Sequence, residues 1–280
     1  MPPQDLATAV AINSVVFNLA RFIGPVFAGL AIVASGVSAA FAANAATYVV
    51  FQVALARMRV ASTAAEPTKR RSMLAELNEG IAYTATHPGI GALLLLLIAM
   101  GIGGRPMNEL LPGFAADVFH SGAGGLSIMA SAIGGGAILG GLWLGQRAQS
   151  GGLTRVALVS AVAGPIATIA AIATDRLWLA VPALVVFGFA NSTAGIAIQT
   201  LVQLSTDRSM RGRVMGLYGL IFRGAPAVGA LGAGFASAHF GLRWPVFFGA
   251  LLVIAFWLWT HLRRARIAAA LEKPEPESGV

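Results

Sequence analysis

A charged side chain inside hydrocarbon costs about 3 kcal/mol or more unless it is paired or faces water, so the polar groups that interrupt long apolar runs are the ones that could do chemistry. Arg105, Asn108 and Glu109 share one such run, and the spacing of four puts Arg105 and Glu109 on one helical face within pairing reach. Two chemistries follow. Glu109 exchanges a proton while the neighbouring cation lowers its pKa, or the two form a permanent structural ion pair near the outer mouth. Further on, Gly188, Asn191, Gly195, Gln199 and Gln203 recur every three or four residues, a small and polar stripe along one helix. On that stripe Asn191 and Gln199 either touch a solute or bridge helices by hydrogen bonds. Arg21 and Arg223 also stand inside apolar runs, with Asn18 one turn before Arg21 as an acceptor. Structural or gating roles suit these two cations better than substrate binding, because arginine snorkels readily.

The elements that must hold these groups are membrane helices. Of 280 residues, 57% are hydrophobic and 11% charged, with a mean hydropathy of +0.77; soluble domains have roughly a quarter of their residues charged. Eight stretches approach the roughly 20 residues that cross a bilayer: Asn13 to Ala34, Ala39 to Leu55, Ile90 to Leu111, Leu126 to Leu144, Leu153 to Ala173, Leu177 to Leu201, Val214 to Ala236 and Val246 to Leu262. The composition excludes a water-soluble enzyme, and the lack of cysteine excludes a disulfide scaffold. The runs do not alternate apolar with polar residues, as the strands of a membrane barrel would.

A net charge of +8 could indicate nucleic acid, but that needs a basic patch on a folded polar surface, and none is expected here. The basic residues fall between alternate spans instead. Arg57, Arg59, Lys69, Arg70, Arg71, Arg147, Arg155, Arg208, Arg211, Arg213, Arg263, Arg264, Arg266 and Lys273 share one side, against Arg176 and Arg243 on the other. The positive-inside rule makes the richer side, and both termini, cytoplasmic. The N-terminus, MPPQDLATAVAINS, has no signal-peptide pattern and reads as an interhelical loop. No metal or other cofactor is expected: His87, His120, His239 and His261 lie near span ends without ligand spacing. No Gly-rich loop precedes a Lys-Ser/Thr pair, so an ion gradient is the expected energy source.

Between the second and third spans, Met73, Leu74, Leu77 and Ile81 recur at helical spacing, which predicts an amphipathic helix on the cytoplasmic surface. The division expected is residues 1–56 as two helices of one bundle, 57–88 as a linker, 89–264 as a six-helix bundle, and 265–280 as a disordered cytoplasmic tail.

An internal repeat carries the most information. Arg21, Gly24, Pro25, Gly29 and Leu30 of the first span are echoed by Arg223, Gly224, Pro226, Gly229 and Leu231 of the seventh, with both the proline pair and the leucine pair 201 residues apart. Six span starts fall in that interval, and parallel six-helix repeats mark one large class of secondary transporter.

The segments NSVVFNLARFIGPVFAG, GGRPMNELLPGFAADVF and RGRVMGLYGLIFRGAPAVGALGAG resemble the fifth, seventh and eleventh helices of major facilitator superfamily transporters, in the branch of siderophore and drug exporters. The resemblance covers about Pro2 to Arg264 and implies an all-α membrane fold in which the eight spans match helices five to twelve of a twelve-helix whole. The chain is then expected to lack four helices, through truncation or because a partner chain supplies them. By the same resemblance, Gly24, Pro25, Ala28 and Gly29 look like the antiporter motif of the fifth helix, and Asn191 and Gln199 lie on the cavity-lining tenth. Gly145, Gln146, Arg147 and Arg155 look like a second-half copy of the cytoplasmic gating loop, without its acidic residue. The implied activity is proton-coupled export of a siderophore or drug-like molecule across the bacterial inner membrane. The competing reading is a membrane protein with no transport activity of its own.

Overall fold

The computed structural model describes residues 39, 41–57, 73–146, 152–207 and 209–272. The chain divides into two units, 1–72 and 73–280. In the first unit residues 41–57 form helix α1, within the stretch expected as the second span. The Thr47 hydroxyl donates to the Asn44 carbonyl at 2.7 Å. The expected first span, with Arg21, Gly24, Pro25 and Gly29, lies outside the described residues, as do Arg147 and the tail beyond Glu272.

Among the described residues six helices, all in the second unit, are long and apolar enough to cross a membrane, each where the sequence places a span. The short α2 (Met73–Thr86) precedes α3 (Ile90–Ala99), which continues through a π-helical turn (Met100–Gly104), α4 (Pro106–Glu109), α5 (Leu111–Gly113) and a second π turn (Phe114–Val118). Then come α6 (Gly122–Gln146), α7 (Leu153–Ile172), α8 (Leu177–Ser205), α9 (Arg211–Phe240), α10 (Arg243–Leu262) and the short α11 (Arg264–Leu271). No strand occurs among the described residues. Pro165, Pro182 and Pro226 sit inside α7, α8 and α9; membrane helices tolerate this because neighbouring groups satisfy the freed carbonyls.

Lipid gives no hydrophobic push between helices, so contact depends on small residues that let backbones meet. A Cβ built on Gly136 would strike the Val185 carbonyl, and one on Gly188 the Ile133 carbonyl, so α6 and α8 touch backbone to backbone. Gly140 meets the Phe189 carbonyl on the same seam, whereas Gly135 and Gly145 face open space. A second seam joins the first π turn to α9 and α10. Gly103 abuts Gly249, Gly101 abuts Ala225, and the Ile102 backbone lies against Gly229.

Two apolar clusters fill the bundle. One, around Leu93, Leu97, Val214, Val253, Ile267 and Leu271, occupies the end carrying α2 and α11. The other, around Met107, Phe114, Met129, Leu184, Phe187 and Val246, fills the opposite end.

The short helices tie helix ends together. On α2 the packed face runs through Leu77, Gly80, Tyr83 and Thr84, while Ile81 points outward at 45% exposure. The expected stripe is thus rotated, because Gly80 seats α2 against the Arg213 backbone and fixes which side turns inward. Glu79 pairs with Arg213 at 3.0 Å, and the Tyr83 hydroxyl donates to the Asp207 carboxylate at 3.1 Å. His87 Nδ1 accepts the Gly89 and Ile90 amides at 3.2 Å, capping α3. On α11, Leu271 lies against Gly89 and its carbonyl accepts the Ser205 hydroxyl at 3.1 Å. At the opposite end Arg243, one of the two basic residues that depart from the charge bias, pairs with Asp175.

The Glu272 carboxylate closes the N-terminus of α7, accepting the Gly152 and Thr154 amides at 2.8 and 2.6 Å. Partial burial opposes its ionisation, but these N–H groups outweigh that and hold the carboxyl below its ordinary value. A folded-state pKa that is depressed stabilises the fold above the unfolded value and loses that contribution as pH falls through the folded one. Wild type is therefore expected to melt higher than Glu272→Ala by a constant margin near neutrality, equivalent to about 1 kcal/mol for a lost cap. The margin should shrink as pH drops below the ordinary glutamate range, as thermal melts in detergent at stepped pH would record.

Candidate functional site

The site is built by a break in one helix. Pro106 has no N–H and its ring crowds the carbonyl four residues back, so an α-helical ladder cannot continue through it. The chain widens instead, and the Arg105 amide reaches the Met100 carbonyl, five residues back, at 3.0 Å. Such π turns recur at functional sites because they re-aim the side chains that follow. Pro112 is followed by a second widening, in which the Phe119 amide bonds the Phe114 carbonyl at 2.9 Å.

The first π turn delivers Arg105 to α9, where its guanidinium lies 4.2 Å from the centroid of the Phe222 ring. Phe222 stacks on Tyr218 at 5.7 Å, and the Tyr218 hydroxyl reaches the Gly195 carbonyl of α8 at 3.5 Å. Arg105, Phe222, Asn191, Gly195, Met100 and Leu97 surround a narrow cleft with room for about one water molecule. A second, equally narrow cleft shares Asn191 and Met100 and extends to Ser160, Pro165 and Phe187. Asn191 thus belongs to both spaces. A guanidinium, a carboxamide and an aromatic pair offer a solute one fixed charge, hydrogen-bonding groups of both kinds, and flat apolar surface.

The other expected site residues fall elsewhere. Glu109 is exposed, and among the described residues it carries no ion pair, so the expected pairing with Arg105 is not what the structure shows. Between the two residues the turn is tightened, with the Asn108 amide bonding the Arg105 carbonyl three residues back at 2.9 Å, and the Arg105 guanidinium is turned to Phe222. Asn108 stays beside Arg105, its side-chain amide 3.5 Å from the Arg105 carbonyl. Gln199 is exposed and does not line either cleft. Arg223 is exposed twelve residues into the 30-residue α9, and Pro226 lies within the same helix beside Gly101. Gly145 and Arg155 stand at facing ends of α6 and α7. Phe222, Tyr218 and Ser160 are additions from the structure. An aromatic pair four apart on a helix otherwise rich in glycine and alanine is the signal that could have found the first two. Among the described residues no three His, Asp or Glu side chains converge as a metal would require.

Comparison with known proteins bears on this arrangement. The chain is 30% identical over 218 residues to the enterobactin exporter EntS of Citrobacter koseri, and 27% identical over the same length to that of Escherichia coli O139:H28. In both cases 77% of this chain is covered and 51% of the relative, so the chain spans about half the length of these proteins. Residues 1–276 match the transmembrane secretion effector family. Those matched residues take in all six long apolar helices, and the chain belongs to this exporter branch of the major facilitator superfamily.

Proposed function

We propose that this chain is the translocating part of a secondary active exporter that moves a small molecule, siderophore or drug-like, across a bacterial inner membrane. The observation that carries the reading is the narrow cleft that brings Arg105, Asn191 and Phe222 together inside a helical bundle with an apolar cluster towards each end. A cavity near the middle of a bundle, bordered by a broken helix, is where secondary transporters hold their solute. The named activity of its relatives makes enterobactin the first substrate to test. In this reading the chain supplies helices five to twelve, both termini are cytoplasmic, and the two bundles rock to expose the cleft to each side in turn. Residues Gly24, Pro25 and Gly29 close the outer end with Arg21, and Arg223 and Pro226 serve the second half likewise. Gly145, Arg147 and Arg155 act at the cytoplasmic gate.

Proton coupling is assigned to Glu109, which is exposed at the end of α4, four residues beyond Arg105. Enterobactin efflux from vesicles holding this chain should respond to an imposed pH gradient, and Glu109→Gln should abolish that response while leaving downhill flux. Undiminished coupling in the glutamine variant would remove Glu109 from the mechanism.

A second reading, export only together with a partner chain that supplies further helices, is favoured by Arg223. An exposed arginine deep in a membrane helix calls for a counter-charge or a hydrated cavity. Flux from vesicles of this chain alone would favour the first reading; flux that appears only with a partner's helices would favour the second.

A further inference from the structure

The last two helices present a lipid-shaped surface that export does not use. On α10, Phe248, Leu251, Leu258 and Leu262 form a stripe of outward-facing side chains, of which Leu262 is the most exposed at 77%. This stripe runs directly into Arg263, Arg264 and Arg266, all exposed. The three arginines cannot swing freely away, because α11 is pinned to the bundle through buried Ile267 and Leu271 and through the Glu272 cap on α7. Arg263 is further fixed with its guanidinium 4.3 Å from the centroid of the Trp259 ring, and Arg264 contacts His261 Nε2. Among the described residues no carboxylate pairs with any of the three. Along the chain the order is Leu258, Trp259 and Leu262, then the three exposed arginines within four residues.

We propose that this corner binds an anionic phospholipid, its acyl chains along the Leu258 and Leu262 stripe and its phosphate on Arg263, Arg264 and Arg266. Guanidinium forks suit phosphate oxygens, and basic clusters just beyond a membrane helix attract anionic headgroups by about 1 kcal/mol per residue, roughly fivefold in affinity. Because α11 closes on α7, α8 and the start of α3, a lipid held here clamps those helix ends together.

The test is native mass spectrometry of the full chain from detergent containing equal dioleoylphosphatidylglycerol and dioleoylphosphatidylcholine. The first retained anionic lipid should bind on the order of a hundredfold more tightly than the zwitterionic one at low salt, with the preference fading as ionic strength rises. The variant R263Q/R264Q/R266Q should lose that preference, R263K/R264K/R266K should keep most of it, and R266Q alone should lose about fivefold. Unchanged preference in the triple glutamine variant would overturn the proposal. So would full displacement of the lipid by millimolar inorganic phosphate, which would reveal a plain anion site indifferent to acyl chains.

Discussion

Gly188→Ala is expected to cost about 2 to 3 kcal/mol, a large effect for one methyl group, while the same change at Gly135 is expected to be neutral or slightly stabilising. Both glycines belong to the α6–α8 pair, and they differ in what the new Cβ would meet. At Gly188 it would collide with the carbonyl, carbonyl carbon and Cα of Ile133; at Gly135 it would meet open space. Backbone atoms cannot move aside as a side-chain tip can, so the helices must separate and forfeit the dispersion contacts on which membrane helix pairing depends. Alanine also favours helix over glycine by about 0.8 to 1 kcal/mol, which offsets part of the steric cost at Gly188 and is unopposed at Gly135. Denaturant titration in mixed micelles would check it. Equal midpoints for the two variants would show that the seam carries no stability.

The six spans between Ile90 and Leu262 were legible because hydropathy in lipid is a strong, one-dimensional signal that tertiary structure does not override. Glycines in α6 suit close helix packing, but sequence spacing cannot separate Gly136 and Gly140, which meet backbone, from Gly135, which does not. Which face of a helix turns inward depends on the partner, and the partner is long-range information. The α2 stripe illustrates the limit. Ile81 continues the apolar periodicity, but Gly80 sets the docking and turns Ile81 away.

The site divides along the same line. Asn191 could be read from the stripe on α8, and Gly195 lies with it at the cleft. Gln199 is eight residues beyond Asn191, and at 3.6 residues per turn that accumulates about 80° of rotation, enough to leave the cleft. For Arg105 the rule of four presumed an unbroken helix. Pro106 was visible in the sequence as a reason to doubt that presumption, but not the direction in which the widened turn would throw the guanidinium. Phe222 was reachable only through the fold, since it is 117 residues from Arg105.

That pairing gives the sharpest functional expectation, conditional on the chain transporting enterobactin. Arg105→Ala should reduce efflux at least tenfold, and Arg105→Lys should do nearly as much damage. The reason is that Arg105 is held as a plane: its guanidinium lies over Phe222, which is stacked in turn on Tyr218. A lysine ammonium keeps the charge but is a compact point, more strongly hydrated and unable to present a rigid fork to a solute. Phe222→Ala should act through the same group. Losing a partly desolvated cation–π contact of about 1 to 2 kcal/mol would lower efflux roughly fivefold to thirtyfold by letting Arg105 wander. Once Arg105 is alanine, removing Phe222 should add little, because residues that act as a unit are not additive. Initial efflux rates for the wild type, two singles and the double form the complete cycle. Independent, multiplying losses would mean that Phe222 lines the cleft without positioning Arg105. Wild-type efflux in Arg105→Lys would mean that the cleft needs only a positive charge, and the π turn that aims the guanidinium would then have no part in recognition.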